Sequence, residues 1–429
     1  MQNYYTSSLN SQKTWPKLDG NINTDVAIIG AGITGVATAV ELSERGFKVA
    51  LLDAKHVGWG ATGRNGGQVT GSLSGDSAML KQLRKTHGAQ AEEFVWNLRW
   101  RGHDIIHKRV ERYEIDCDLK TGHLFTAWTE KELPEFRALV DEAHRRGMQS
   151  DVTLLSKHDL HERLETPLYH GAVLNTKNLH LHSLKLCLGE ALAAESLGAS
   201  IYEHTPVNDI RTPAGQAAQV VTDTGIVHAQ HVILAGNAYH RLMSRQLSGY
   251  LFPATLGNLV TEPLGDELCA QINRDDNAVY DSRMVLDYYR ITKEGRLMFG
   301  GGTNYSGQDI KDVAGHLRPS LERTFPALKN VGVDYAWTGS AGIVINRIPM
   351  LGRVNERVYF AQGYSGHGMA TSHILAEITA TAIAGTLEEL GVFEDFWRWR
   401  IPVPASAGSA LVALGMQYYG LKERISGRS

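Results

Sequence analysis

Residues 25–53 read DVAIIGAGITGVATAVELSERGFKVALLD, and this stretch decides the fold. An apolar run at 25–30 ends in glycine, which is typical of a buried parallel strand. From Ile33 to Arg45 the apolar residues recur at helical spacing, and Gly46 ends that pattern. A second apolar run follows at 48–53. Strand, helix and strand in this order predict a βαβ unit with a right-handed crossover.

The turn between this strand and helix carries the pattern GxGxxG at Gly30, Gly32 and Gly35. The first glycine allows a tight turn, the second lets the backbone approach a pyrophosphate, and the third lets the helix pack on the strand. The helix N-terminus directs free amides and a positive dipole end at the phosphates. Asp53 ends the second strand, where a carboxylate accepts hydrogen bonds from ribose hydroxyls. The unit predicts dinucleotide binding, and Asp53 disfavours the 2′-phosphate of NADP.

Two further glycine-rich segments favour FAD over NAD. The loop at 58–68 reads GWGATGRNGGQ, and it offers amides and the Thr62 hydroxyl to a pyrophosphate, with space for a flat ring. An NAD dehydrogenase has no evident use for such a loop directly after the second strand. The turn GYSGHGM at 363–369 links a predicted strand to a helix. Its amides and the helix dipole would stabilise negative charge on a reduced flavin.

Size and composition exclude several other classes of protein. The chain has 429 residues, 43% of them hydrophobic, and this length predicts two domains. Its formal net charge of −3 predicts no long-range attraction to nucleic acid or to an anionic membrane. The polar N-terminus lacks the apolar run of a signal peptide or anchor, which predicts a cytoplasmic protein. Cys117, Cys187 and Cys269 form no CxxC pair, and His180 with His182 lacks a third ligand. We therefore predict neither a disulfide nor a metal site.

The remaining segments predict a second region built on its own sheet. Residues 77–112 read as one or two long helices and 131–147 as another, and 283–304 alternate around a turn at 293–295 as an antiparallel hairpin does. The predicted fold class is α/β, with a discontinuous Rossmann-type FAD-binding domain and an inserted α+β substrate domain on an antiparallel sheet. The predicted FAD-binding domain comprises 24–85, 150–238 and 337–390, the substrate domain comprises 86–149 and 239–336, and 391–429 form a C-terminal tail packing on the body.

Five motifs carry a resemblance to a known family: GATGRNGGQ at 60–68, LDYYR at 286–290, FGGG at 299–302, YAWTG at 335–339 and QGYSGHG at 362–368. They are similar to those of the D-amino-acid-oxidase-type FAD oxidoreductases, which include glycine, sarcosine and amine oxidases. GRNGGQ with GYSGHG resembles the amine-oxidising branch, and above all its gamma-glutamylputrescine-oxidising members. The resemblance implies hydride transfer from a neutral amine to FAD, hydrolysis of the imine to an aldehyde and ammonia, and molecular oxygen as the acceptor.

Two departures from the family pattern sharpen this expectation. In the amino-acid oxidases an Arg shortly after a Trp-Thr-Gly-like motif grips the substrate carboxylate. Here the motif at 337–339 is followed by no Arg until Arg347, so a simple α-amino acid lacks its partner unless Arg290 or Arg347 substitutes. Some relatives attach FAD covalently through a His or a Cys in matching regions. This chain has Arg64 in the first region and no Cys in the second, which implies non-covalent FAD.

The motifs and the resemblance together predict the residues of the site. For several of these residues, two interpretations of the side chain's role stay open. His367 either tunes the charge of the flavin or caps the following helix, and Tyr288 either walls the substrate cavity or packs within its sheet. Arg290 either binds a glutamyl carboxylate or pairs with an acid, and Trp337 lies near the ring system or in the core. The candidate catalytic residues are therefore His367, Tyr288, Arg290 and Trp337. The predicted cofactor contacts are Gly30, Gly32, Ile33, Thr34, Gly35, Asp53, Ala54, Lys55, Gly60, Ala61, Thr62, Arg64, Asn65, Gly66, Gly67, Gln68, Val207, Gly236, Gly339, Gly363, Ser365, Gly366, His367, Gly368 and Met369.

Three alternative functions stay open at this point. The first is FAD-dependent oxidation of a secondary amine such as sarcosine or iminodiacetate, which is favoured if Arg347 reaches the cavity. The second is an NAD-dependent dehydrogenase, and the third is a flavoprotein without catalytic activity. The sequence does not determine the oligomeric state.

Overall fold

The chain folds around two β-sheets in a computed structural model that describes residues 3–9 and 13–401, together with the isolated positions 413 and 415. The first sheet contains β1 (Ile22–Ile29), β2 (Val49–Leu52), β7 (Ser200–Tyr202), β8 (Val207–Arg211), β9 (Ala218–Thr222), β10 (Ile226–Leu234), β16 (Met350–Asn355) and β17 (Val358–Gln362). Its order is β16-β17-β10-β1-β2-β7, with β9 on β10 and β8 on β9. The strands β17, β10, β1, β2 and β7 are parallel to one another, whereas β16 pairs with β17 in the antiparallel direction.

The second sheet is mostly antiparallel. It contains β3 (Gln68–Val69), β4 (Lys120–Thr126), β5 (Val152–Ser156), β6 (Gly171–His180), β11 (Leu251–Thr261), β12 (Ala278–Asp281), β13 (Tyr288–Ile291), β14 (Leu297–Asn304) and β15 (Val333–Val344). Its order is β15-β11-β14-β13-β12-β4-β6-β3, with β5 paired to β6. The predicted hairpin is confirmed as β13 and β14, although β12 and β4 form a parallel pair.

Helices cover the first sheet and surround the second. They are α1 (Tyr4–Ser7), α2 (Ile33–Glu44), α3 (Asp76–His87), α4 (Gln90–Arg112), α5 (Leu133–Arg145), α6 (Lys157–His161), α7 (Ser183–Ser196), α8 (Ser244–Leu247), α9 (Asp266–Ile272), α10 (Val313–Thr324), α11 (Gly368–Ile383) and α12 (Glu388–Asp395). The segment predicted at 77–112 forms two helices, which separate at Gly88 with φ +55°. Among the described residues, no helix has both the length and the apolar character needed to cross a membrane.

The predicted βαβ unit is formed by β1, α2 and β2. The last four residues of β1 are buried, all of β2 is buried, and every residue of α2 from Ile33 to Ser43 is buried as well. A parallel sheet needs apolar cover on both faces, and α2, α7 and α11 provide it on one of them. The predicted fold class, a Rossmann-type α/β body joined to a region on an antiparallel sheet, is confirmed.

The proposed domain boundaries differ from the assignment of strands to sheets in three places. The strands β3, β5 and β6 pair in the second sheet, as does β15, so 68–69, 152–180 and 337–344 go with that sheet rather than with the first. The alternation of apolar residues in a strand identifies its buried face and not the sheet that receives it, which is why the sequence misassigned them. We retain the other boundaries as proposals. The predicted packing of the C-terminal tail lies outside the described residues from 402 onward, apart from 413 and 415.

Candidate functional site

A cavity of about 910 Å³ lies between the two sheets. One part of its wall is formed by the turn between β1 and α2 and by the end of β2. The opposite part is formed by the second sheet and by the loops that follow β12 and β14. The loop at 60–68 and the N-terminus of α11 lie between these parts and complete the wall.

The three glycines of the GxGxxG turn are each required by a different close approach. Gly30 has φ +105°, and a Cβ there would lie 2.9 Å from the amide nitrogen of Gly236. A Cβ on Gly32 would lie 3.2 Å from Thr62 Oγ1, and one on Gly35 would lie 1.9 Å from the carbonyl oxygen of Gly30. Gly30, Gly32 and Gly236 line the cavity, whereas Gly35 lies behind it and allows α2 to pack on β1.

The N-terminus of α2 opens into the cavity and fits a phosphate group. Its N-cap, Gly32, offers no side chain, so no side chain caps the first turn at that position. The amide of Ile33 donates to Thr62 Oγ1 at 2.9 Å, which ties the loop at 60–68 to the helix. Ile33, Thr34 and Thr62 all line the cavity. This arrangement of amides and helix dipole is a known anion-binding geometry.

Asp53 lies where β2 ends, as the sequence predicted, and it faces the cavity together with Ala54 and Lys55. Its carboxylate accepts hydrogen bonds from the amide of Ala31 at 2.8 Å and from the amide of Lys55 at 2.7 Å. Burial raises the pKa of the Asp53 carboxyl above its usual value, despite these two donors. Val207 lies on the same part of the wall, so the predicted ribose end of the site is brought together.

The loop at 60–68 contributes most of the middle of the wall. Its lining residues are Gly60, Ala61, Thr62, Arg64, Asn65, Gly66 and Gln68. Arg64 stacks on the ring of Trp59, with its guanidinium carbon 4.8 Å from the ring centroid, and its Nε donates to the Trp59 carbonyl at 3.0 Å. Gly67 does not line the cavity. It has φ +72°, and a Cβ there would lie 2.1 Å from the carbonyl oxygen of Leu181.

The segment at 363–369 brings a second helix N-terminus to the cavity. Ser365, Gly366, His367, Gly368 and Met369 line it, and α11 begins at Gly368 without a side-chain cap. Gly363, with φ +78°, lies outside the lining and turns the chain at the end of β17. Burial lowers the pKa of the His367 imidazole, so the side chain is neutral near pH 7.

A shared hydroxyl network fixes the two helix N-termini relative to each other. Thr34 Oγ1 lies 2.8 Å from the hydroxyl of Tyr364 and 3.0 Å from Ser372 Oγ. Thr34 belongs to α2 and Ser372 to α11, and all three residues line the cavity. The network holds both positive dipole ends at one cavity.

Tyr288 lines the end of the cavity that is formed by the second sheet, as predicted. Its hydroxyl donates to Asn258 Oδ1 at 3.0 Å, and its ring packs so closely on Gly66 that a Cβ there would lie 2.5 Å from Cε2. The sequence missed other lining residues of this end, which include Leu256, Tyr280, Met284, Leu286, Thr303 and Tyr305. They come from several strands and loops, and apart from Leu286, which begins the LDYYR motif, no quoted motif contains them.

Two of the four candidate catalytic residues do not line the cavity, which corrects the prediction of a direct contact. Arg290 is 3% exposed and donates from Nε to the carbonyl of Gly66 at 2.8 Å, behind the loop. Trp337 is buried with Tyr4 and Tyr5, and its Nε1 donates to the carbonyl of Arg64 at 3.1 Å. Both side chains hold the loop from outside. Gly339, from the same motif as Trp337, does line the cavity.

Arg347 reaches the cavity and provides a positive charge at the end near His367. The backbone of Arg347 is in the left-handed region, with φ +60°. Burial is the largest cause of the lowered pKa of His367, and the charge of Arg347 also lowers it. In the described part of the chain, its guanidinium forms no hydrogen bond or ion pair with protein. Asp53, at the opposite end, is the acidic residue among those that line the cavity. Within the same described part, no group of three His, Cys, Asp or Glu side chains could hold a metal ion.

Comparison with known proteins agrees with this geometry. A family model described as FAD dependent oxidoreductase (DAO) matches residues 25–382. Gamma-glutamylputrescine oxidoreductase of Escherichia coli strain K12 is 34% identical over 425 residues, which cover 98% of each chain. A crystal structure of glycine oxidase from Bacillus cereus superposes with a TM-score of 0.70 at 21% identity, covering 89% of this chain and 100% of that one. Iminodiacetate oxidase from Chelativorans has a TM-score of 0.69 at 16% identity, covering 85% and 98%.

Proposed function

The chain belongs to the DAO family of FAD-dependent oxidoreductases, and on that premise we propose that it oxidises gamma-glutamylputrescine or a similar gamma-glutamylated amine. In the proposed reaction the primary amine, oxygen and water give the aldehyde, ammonia and hydrogen peroxide. Bound FAD supplies the acceptor for the hydride that leaves the carbon bearing the nitrogen. The likeness to the Escherichia coli relative over nearly the whole chain supports this substrate class.

The distribution of charge along the cavity wall carries the proposal. The second-sheet end is lined by aromatic and apolar side chains such as Tyr280, Tyr288 and Leu286, with Arg347 as a cation near His367. A gamma-glutamylated amine has a carboxylate at one end of an extended chain and an amine at the other. An Arg guanidinium suits the carboxylate, and an apolar wall suits an amine that must lose its proton before oxidation.

The side chains around the reacting end have separate tasks in this scheme. Tyr288 fixes the amine-bearing chain against the loop at 60–68, and the apolar neighbours exclude water from the carbon that loses hydride. No carboxylate lines this end among the described residues, so the wall favours the neutral amine over its ammonium form. The N-terminus of α11 and the amides before it would stabilise negative charge on bound, reduced FAD.

A second candidate substrate class follows from the position of Arg347. Sarcosine and iminodiacetate carry a carboxylate close to the amine nitrogen, and Arg347 would bind that carboxylate equally well. One protein with a similar fold is an iminodiacetate oxidase, which is why we retain this alternative. The two classes differ in the length between carboxylate and amine, so they are distinguished by which substrate reduces the flavin.

Replacing Arg347 by Gln tests the proposal directly. The charge-assisted hydrogen bonds that it would lose are worth about 1.5–3 kcal/mol, so KM for gamma-glutamylputrescine should rise about 10- to 150-fold while KM for putrescine, which has no carboxylate, stays unchanged. Arg357→Gln is the matched control, since that exposed guanidinium bonds to Gln230 and lies outside the cavity. Equal effects of Arg347→Gln on both substrates would remove Arg347 from substrate binding.

A further inference from the structure

The carbonyl groups of residues 61–66 all accept hydrogen bonds from side chains. The donors are Asn65 Nδ2 to Ala61 at 3.1 Å, Ser183 Oγ to Thr62 at 2.7 Å, Asn3 Nδ2 to Gly63 at 3.0 Å, Asn258 Nδ2 and Trp337 Nε1 to Arg64 at 3.0 and 3.1 Å, Tyr5 Oη to Asn65 at 2.8 Å, and Arg290 Nε to Gly66 at 2.8 Å. A loop whose carbonyls are each held by a side chain has its peptide orientations fixed.

Apart from Asn65, which itself lines the cavity, these donors lie outside the set of residues that form the cavity wall. None of Asn3, Tyr5, Asn258, Arg290 and Trp337 is among the residues that line it. They come from distant parts of the chain, which include the N-terminal segment at 3–9, the strands of the second sheet and the start of α7. The loop is therefore held from behind by contacts that no local motif encodes.

The direction of the carbonyls determines the direction of the amides. In a planar trans peptide, the C=O of one residue and the N–H of the next point to opposite sides. Carbonyls of Arg64 and Asn65 that point outward leave the amides of Asn65 and Gly66 pointing towards the cavity, which both residues line. Within the described residues, neither of these two amides donates to a protein acceptor.

We propose that the N-terminal segment at 3–9 is part of the cofactor site, where Asn3 and Tyr5 act as positioning residues. By holding the carbonyl of Asn65 outward, Tyr5 keeps the amide of Gly66 directed at the cavity and available to an anionic flavin. Asn3 anchors the preceding turn of the same loop through the carbonyl of Gly63. The segment thereby raises the affinity of the protein for FAD and makes the reduction potential of the flavin less negative. This inference depends on the FAD site and not on the substrate proposed above.

The adjacent tyrosines of α1 separate this role from simple packing. Tyr5 is 0% exposed and Tyr4 is 2% exposed, and both belong to one small apolar cluster. The hydroxyl of Tyr5 donates to the loop carbonyl of Asn65, whereas the hydroxyl of Tyr4 donates to Glu294 in the hairpin turn. Removing the hydroxyl of Tyr4 costs a part-buried hydrogen bond to Glu294, and removing that of Tyr5 costs a part-buried hydrogen bond to Asn65 and a weak contact with Met298 Sδ. Only the bond from Tyr5 to Asn65 reaches the cofactor loop.

The test compares Tyr5→Phe with Tyr4→Phe in the holoenzyme. We expect Tyr5→Phe to release FAD about fivefold faster than the wild-type protein, as the loss of one hydrogen bond predicts, and to shift the midpoint potential to a more negative value. Tyr4→Phe should leave both quantities at their wild-type values. The release rate is measured from the fluorescence of free FAD after dilution, and the potential from dye-coupled reduction.

A second variant protects the test against a general folding defect. Asn3 is only partly buried, and Asn3→Ala removes the donor to Gly63 without opening the core. It should change the FAD release rate and the potential in the same direction as Tyr5→Phe. The proposal is overturned if Tyr5→Phe and Asn3→Ala both match Tyr4→Phe in release rate and potential, whatever their melting temperatures.

Discussion

Gly35→Ala should weaken both the fold and FAD binding, because a methyl group there would collide with backbone. The added Cβ would lie 1.9 Å from the carbonyl oxygen of Gly30, where real contacts do not fall below 3.0 Å. It would also lie 3.3 Å from Ile28 Cγ2. The helix α2 and the second half of β1 have no space to move, since residues 33–43 and the last four residues of β1 are buried. The helix must withdraw from the strand by about 1 Å to accept the side chain.

The expected free-energy change follows from two opposing effects. Alanine is better than glycine in a helix interior by about 1 kcal/mol. Overpacking of this depth lies at or above the upper end of the usual cost of about 1–3 kcal/mol, which leaves a net loss of about 2 kcal/mol. For a chain of 429 residues this corresponds to a decrease in melting temperature of about 2 °C. A displaced N-terminus of α2 should also weaken FAD binding at least about tenfold.

The assay measures the melting temperature and the ratio of bound FAD to protein, and it uses Gly391→Ala as the matched control. Gly391 lies inside the helix α12, and no atom lies within 4 Å of a Cβ built there. That variant should gain a few tenths of a kcal/mol up to about 1 kcal/mol and retain its FAD. A Gly35→Ala protein that melts like Gly391→Ala and purifies with a full complement of FAD would refute the packing role given to the third glycine.

Two further predictions concern the helices around the cofactor cavity. Glu190→Gln should destabilise the protein at pH 7, and this effect should shrink as the pH falls below about 4.3. Burial raises the pKa of the Glu190 carboxyl, yet His373 and Arg109 bring it below its usual value. The stability that the carboxylate contributes is therefore fully present above about pH 4.3 and is lost as the pH falls through the folded-state pKa. Melting temperatures of both proteins across this pH range check it, and a constant difference would contradict it. Thr62→Val keeps the shape of the side chain but removes the acceptor of the Ile33 amide, so the FAD dissociation constant should rise about fivefold. The constant is measured by flavin titration of the apoprotein. An unchanged constant would show that this hydrogen bond does not support the cofactor site.

Most residues that the sequence predicts at the cofactor end line the cavity, because the patterns that mark them are local. A Cβ at Gly35 would meet atoms of the same supersecondary unit, and one at Gly32 would meet Thr62 in the next loop. Gly30 approaches the distant backbone of Gly236, but its φ of +105° belongs to the local turn, and the acid at the end of β2 follows from the same unit. The same holds for the turn before α11, where glycine and a helix start are adjacent in the chain. Such positions are set by backbone geometry that short patterns record.

The parts that could not be predicted depend on contacts between distant segments. Arg290 follows two tyrosines on β13, but only the path of the loop at 60–68 shows that it donates to Gly66 and lies behind the cavity. Tyr5 is separated from Asn65 by 60 positions in the chain, and no periodicity links them. Arg347 lines the cavity and has a left-handed backbone conformation, which no pattern in the surrounding sequence predicts. Long-range placement of this kind requires the folded structure.

The most direct test of the proposed function is hydrogen peroxide release by the purified, FAD-loaded protein in air. Gamma-glutamylputrescine, putrescine, sarcosine and iminodiacetate are compared at equal concentrations, with catalase added in a parallel reaction to identify the product. The proposal predicts a clear preference for gamma-glutamylputrescine, with the corresponding aldehyde and ammonia formed in equal amounts. Peroxide from sarcosine or iminodiacetate alone would contradict the substrate class, and no flavin reduction by any of the four amines would contradict amine oxidation itself.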